Sequence, residues 1–133
     1  MFKVLDLHHV AVLAHDLDAA SDTFRHNFGF EVESRHEMPQ FNLRNAFLAV
    51  GPGRLELLAP IDEAAHPGTR LAQAGEGLYH IALRVDDLDA AAAYLREKGI
   101  EASAPSYVAD VAARVVAISP RHSQGASILL LGT

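Results

Sequence analysis

Leu7-His8-His9-Val10-Ala11-Val12, followed by Asp16-Leu17-Asp18-Ala19-Ala20, is met twice in this chain. Its second form, 71 residues on, is Leu78-Tyr79-His80-Ile81-Ala82-Leu83 followed by Asp87-Leu88-Asp89-Ala90-Ala91. Leu7/Leu78, His9/His80, Ala11/Ala82, Asp16/Asp87, Leu17/Leu88, Asp18/Asp89, Ala19/Ala90, Ala20/Ala91 and Arg25/Arg96 are identical pairs. Gly29 and Gly99 close the two stretches one residue out of register. Self-similarity at a fixed spacing marks a repeated structural unit, here a tandem duplication with a unit of roughly 70 residues.

Each copy reads the same way locally. The short, apolar, partly alternating runs Leu7 to Ala14 and Leu78 to Val85 predict strands. Asp16 and Asp87 are placed to cap helices, because a carboxylate accepts backbone N–H groups that a helix start leaves without partners. The helices are expected to run to about Phe28 and Lys98, where Gly29 and Gly99 supply the left-handed conformation that ends them. Three strands should follow each helix: Phe30–Met38, Leu43–Val50 and Arg54–Ala59 in the first copy, Ile100–Ala104, Ala112–Ser119 and Ala126–Leu131 in the second. Gly51-Pro52-Gly53 turns between two of them. The modules are therefore βαβββ, spanning about 5–60 and 78–133 of one domain. Residues 61–77, rich in Ala, Gly and Pro, link them, with a short helix after Pro67.

Composition narrows the function. With 133 residues, half of them hydrophobic, the chain can bury a core. A formal charge of −6 argues against nucleic acid, whose phosphates call for Lys and Arg. No cysteine is present, so disulfide and thiolate chemistry are excluded. The apolar runs fall short of a signal peptide core or a membrane span, so the expected location is the cytoplasm, with no membrane partner.

Eight histidines remain to be sorted. A lone strand histidine is ordinarily a half-buried, hydrogen-bonded residue. His9 and His80, however, occupy the same place in two copies of one module, and two modules packed about a pseudo-twofold axis would bring them together. Glu56 lies in the apolar strand Leu55-Glu56-Leu57-Leu58, where a carboxylate is solvent-facing, paired or metal-bound. Together His9, Glu56 and His80 suit a divalent ion: zinc, cobalt, manganese, nickel or iron. The duplication asks for a fourth ligand in the last strand, but Leu129 stands where Glu56 does in the first copy.

These features resemble the vicinal oxygen chelate superfamily of glyoxalases, bleomycin-resistance proteins and dioxygenases. The likeness is greatest to methylmalonyl-CoA epimerases, through Leu55-Glu56-Leu57-Leu58-Ala59-Pro60 and Gly75-Glu76-Gly77-Leu78-Tyr79-His80-Ile81-Ala82-Leu83-Arg84-Val85-Asp86-Asp87-Leu88. The resemblance implies an α+β fold in which two tandem βαβββ modules form a curved mixed sheet around a central cleft. It implies that His9, Glu56 and His80 hold the metal. It also implies an isomerase or lyase acting on a small oxygen-chelating substrate, such as an acyl-CoA, through a metal-stabilised enolate. The epimerases use two carboxylates for proton transfer; the matching positions are Gln40, in Pro39-Gln40-Phe41-Asn42, and Leu129. Neither side chain exchanges protons at neutral pH, which leaves Glu56, the expected catalytic group, or a metal-bound hydroxide to carry protons.

Gln40, Leu129, His122 and Arg114 are candidate substrate-binding residues, Arg114 through an anionic group, as is Arg44 in the corresponding strand. Surface pairing is the simpler reading of both arginines. His8, His15, His26, His36 and His66 read as packed or solvated. A small-molecule substrate and a homodimeric assembly are expected. Two other functions remain open on this reading: an Fe(II) ring-cleavage dioxygenase and a non-catalytic binding or resistance protein.

Overall fold

A computed structural model describes residues 1–133. Its elements are β1 (Val4–Leu13), α1 (Leu17–Phe28), β2 (Val32–Met38), β3 (Leu43–Val50), β4 (Gly53–Pro60), α2 (Gly68–Ala74), β5 (Gly77–Val85), α3 (Leu88–Glu97), β6 (Ser106–Val108), β7 (Ala113–Ile118) and β8 (Ile128–Gly132). The order β-α-β-β-β occurs twice, with α2 in the linker. No helix is long and apolar enough to cross a membrane.

The repeated residues hold the repeated elements. The Asp16 carboxylate accepts from the Ala19 N–H and the Asp87 carboxylate from the Ala90 N–H, both at 3.0 Å. Leu17, Ala20 and Phe24 turn one face of α1 onto β3 and β4, around buried Ala46, Leu48 and Leu57. Leu88, Ala91, Ala92 and Leu95 turn the matching face of α3 onto Val116 and Leu130. That i, i+3, i+4, i+7 spacing is the apolar stripe of a helix lying on a sheet. The second aspartates, Asp18 and Asp89, bind Arg35 and Arg114 at 3.2 and 2.9 Å.

The helix ends differ, and the difference corrects one strand. At Gly29 (φ 75°) a single bond runs from its N–H to the Arg25 carbonyl. At Gly99 (φ 72°) the Gly99 N–H reaches Arg96 and the Ile100 N–H reaches Leu95, the paired bonds of a Schellman motif. Ile100 is thereby committed to closing α3 and packs on its core. The strand expected at Ile100–Ala104 is reduced to one bridge, Ala102 to Ile118, and pairing resumes only after Pro105, at Ser106–Val108.

By density of contacts the chain forms two compact units: a terminal unit, Met1–His9 with His80–Thr133, and a central unit, Val10–Tyr79. Within the central unit the strands run in the order β2-β3-β4, and within the terminal unit β5-β8-β7-β6. The last three strands of each module thus lie in the same relative order. β5 and β8 pair in parallel, whereas β2–β3, β3–β4, β6–β7 and β7–β8 are antiparallel. The first residues of β1 are tied into the terminal unit. Lys3 and Asp86 exchange two hydrogen bonds, Arg84 binds Asp6 at 2.6 Å, and the Phe2 ring meets Tyr94 edge-on.

Candidate metal centre

Within the terminal unit, β1 delivers His9 and β5 delivers His80. Their Nε2 atoms are 3.1 Å apart. Two nitrogens bound to one ion at about 2.0–2.1 Å sit roughly 2.9 Å apart at a right angle and roughly 3.3 Å apart at a tetrahedral angle. The observed separation falls inside that interval. His9 is only 2 % exposed, and its other ring nitrogen, Nδ1, lies 2.8 Å from Nδ1 of His8. A partner at Nδ1 is what fixes the tautomer of a metal-binding imidazole and leaves its Nε2 lone pair for the ion.

Within the central unit, β4 delivers Glu56, 3 % exposed. It stands opposite Phe47 in the hairpin whose Val50–Gly53 pair sets the register. The Asn45 Nδ2 donates to Glu56 Oε2 at 2.8 Å, and Asn45 Oδ1 lies 3.0 Å from His36 Nδ1. Two imidazoles and a buried strand carboxylate are donor types that fit a divalent ion of the borderline transition series.

The remaining expected residues fall elsewhere. Leu129 is half-buried on β8 beside Ala82, two residues along β5 from His80, so it shares the His80 face of the sheet. Gln40 is exposed on a 3-10 turn, Pro39–Phe41. His122 sits on another such turn, its Nε2 accepting the Glu101 N–H at 3.0 Å. Arg114 is held by both Asp89 oxygens and by the Thr133 carbonyl; its hydrogen bonds keep the Asp89 carboxyl below the usual carboxylate range. Arg44 pairs with Glu37 at 3.4 Å, on the rim of a groove of about 490 Å³ beside the start of α1. His15, lining the same groove, binds Glu63, and that hydrogen bond raises its pKa above the ordinary value.

Asn45 and His36 were not legible as site residues from sequence, although a signal existed. Asn45 is fully buried in a strand that is otherwise apolar apart from Arg44. Counting back from the Gly51-Pro52-Gly53 turn places it on the face of Glu56, two pairs along the ladder.

A duplicated βαβββ chain with a histidine at the same place in each module defines a class of small α+β proteins. Comparison places it more closely: residues 8–117 match the Glyoxalase/Bleomycin resistance protein/Dioxygenase superfamily, and the chain belongs to it. It is similar to the ethylmalonyl-CoA/methylmalonyl-CoA epimerase of Cereibacter sphaeroides, 32% identical over 70% of each chain. It is 31% identical to mouse mitochondrial methylmalonyl-CoA epimerase over 75% of this chain, a match spanning 57% of the mouse protein. Among solved structures, a Streptomyces coelicolor methylmalonyl-CoA epimerase variant in complex with 2-nitronate-propionyl-CoA superposes with a TM-score of 0.87, at 31% identity and 97% coverage of both chains.

Proposed function

We propose that this chain is a metal-dependent isomerase of acyl-CoA substrates, working on the acidic C–H beside the thioester carbonyl. The observation that carries this reading is the approach of the His9 and His80 Nε2 atoms to 3.1 Å in a chain whose relatives are named as epimerases of acyl-CoAs. His9, Glu56 and His80 would hold the ion. When bound, a divalent ion supplies Lewis-acid chemistry, drawing charge onto a carbonyl oxygen and acidifying the neighbouring C–H.

The rest falls to the side chains. His9 and His80, both neutral, offer lone pairs, and His8 keeps the His9 tautomer that does so. Glu56 is the proton carrier: the C–H bond breaks toward its carboxylate, the electron pair moves to the thioester oxygen, and the same oxygen of Glu56 returns a proton to carbon. Because Gln40 and Leu129 cannot transfer protons, inversion requires the planar enolate to turn its other face to Glu56 before the proton returns, while return to the original face leaves the configuration unchanged. A single base therefore exchanges the α-hydrogen faster than it inverts the centre.

The test follows methylmalonyl-CoA in deuterium oxide by NMR, recording deuterium incorporation and change of configuration separately. The reading expects metal-dependent incorporation that outruns inversion, abolished by chelation and by Glu56→Gln. Absence of incorporation in protein shown to carry an ion would overturn it, and equal rates of incorporation and inversion would overturn the single-base mechanism.

A further inference from the structure

On the face of the central unit that carries Glu56, three polar side chains stand in a row across β2, β3 and β4. His36 pairs across the ladder with Asn45, and Phe47 with Glu56. The His36 ring rests edge-on against Phe47, with centroids 6.2 Å apart. Asn45, at 0 % exposure, lies between the other two polar groups and is hydrogen-bonded to both. A carboxamide in that place has two orientations, one offering an N–H to Glu56 and the other an oxygen. The two differ by a donor exchanged for an acceptor beside a buried carboxylate.

We propose that His36 and Asn45 are positioning residues for Glu56: His36 donates from Nδ1 to Asn45 Oδ1 and so fixes the carboxamide with its N–H toward the carboxylate. The chemistry leaves one consistent assignment. A carboxylate that accepts from Asn45 requires Nδ2 on its side, which turns Oδ1 to His36, and an oxygen there requires a hydrogen on Nδ1. The imidazole supplies it both as the Nδ1–H tautomer and as the cation, so the arrangement does not depend on the charge of His36. Asn45 then occupies Oε2 of Glu56 and orients the carboxylate toward a divalent cation. That last step rests on the metal reading of His9, Glu56 and His80; the orientation of Asn45 does not.

Two measurements test it. Nitrogen-15 NMR of the metal-free protein reads the His36 tautomer, expected as Nδ1–H; a deprotonated Nδ1 on neutral His36 would overturn the proposal. Titration with zinc(II) alone then compares wild type with His36→Gln and His36→Glu. Glutamine keeps a donor, and its affinity should stay within about a factor of a few of wild type. Glutamate offers only an acceptor and turns the Asn45 oxygen onto Glu56, so affinity should fall about 10- to 100-fold, the usual effect of losing a partner behind a metal ligand. A histidine that served only as packing on Phe47 would make the two variants alike, and added negative charge alone would tighten binding in His36→Glu. Either result overturns the proposal. Wild-type protein that binds no zinc overturns the metal reading instead, while the tautomer still decides the role of His36.

Discussion

Replacing Leu129 with glutamate asks whether the second module can be given the carboxylate that the first one has. Leu129 is in register with Ala82, and His80 lies two residues back along β5 on the same face. One strand spacing of about 4.8 Å and two residues of about 3.3 Å each put the Leu129 and His80 Cα atoms roughly 8 Å apart. A glutamate and a histidine span that distance with one ion between them, about 2 Å from each donor. Without metal the substitution loses about 1 kcal/mol of apolar burial at a half-buried site. It adds roughly 1–3 kcal/mol for a poorly solvated carboxylate. At roughly 3–4 °C per kcal/mol for a chain of this size, the apo melting temperature should fall by about 6–16 °C. With metal, an added charged oxygen ligand should tighten binding at least tenfold, about 1.4 kcal/mol, and recover roughly 4–6 °C of the loss at matched excess of ion. Activity should drop, because one position open to substrate is filled. The assay is thermal melting of both apo proteins across a metal titration. A variant less stable than the parent at every concentration, with no gain in affinity, would refute the equivalence of Leu129 and Glu56.

Replacing His80 with alanine should lower metal occupancy several-fold by elemental analysis; unchanged occupancy removes this histidine from the centre. The His15 imidazole should titrate above its ordinary value of about 6.5 in an NMR pH series, because it donates to Glu63. Glu63→Gln should bring it back down. The sign follows from a raised folded-state pKa: the small contribution to stability is complete below the unfolded pKa and is lost as pH rises through the folded one. At Gly132 an added Cβ would meet Leu88 Cβ at 2.8 Å, so Gly132→Ala should destabilise by about 1–3 kcal/mol in urea unfolding. A midpoint equal to wild type would show that the start of α3 shifts freely.

The repeat made most of this molecule legible, and the structure separates what the repeated residues were kept for. Asp16 and Asp87 cap, Leu17, Ala20, Leu88 and Ala91 pack, and Asp18 and Asp89 pair with arginines; the caps and the helix stripes follow from rules that hold within a few residues of chain, and each arginine pair lies within its own module. His9 and His80 serve no cap, helix stripe or arginine pair, and their Nε2 atoms meet at 3.1 Å. β6 was misread because the apolar Ile100 looked like a strand start while serving the end of a helix. The hydrogen bonds of His36 and Asn45 escaped notice for a different reason. Their role depends on which residues stand opposite one another across two ladders, and an inventory of side-chain types carries no such information.

The terminal unit joins Met1–His9 to a segment that begins at His80. A ribosome releases the central unit as one continuous stretch, able to gather its own helix and hairpin while synthesis continues. The first nine residues must wait. At about 5–20 residues per second, the 71-residue interval between the two histidines corresponds to roughly 4–14 s, during which His9 exists without its partner. The histidine pair therefore forms late in the life of a nascent chain, and an ion held by both imidazoles would report that the second half had been made and had closed on the first.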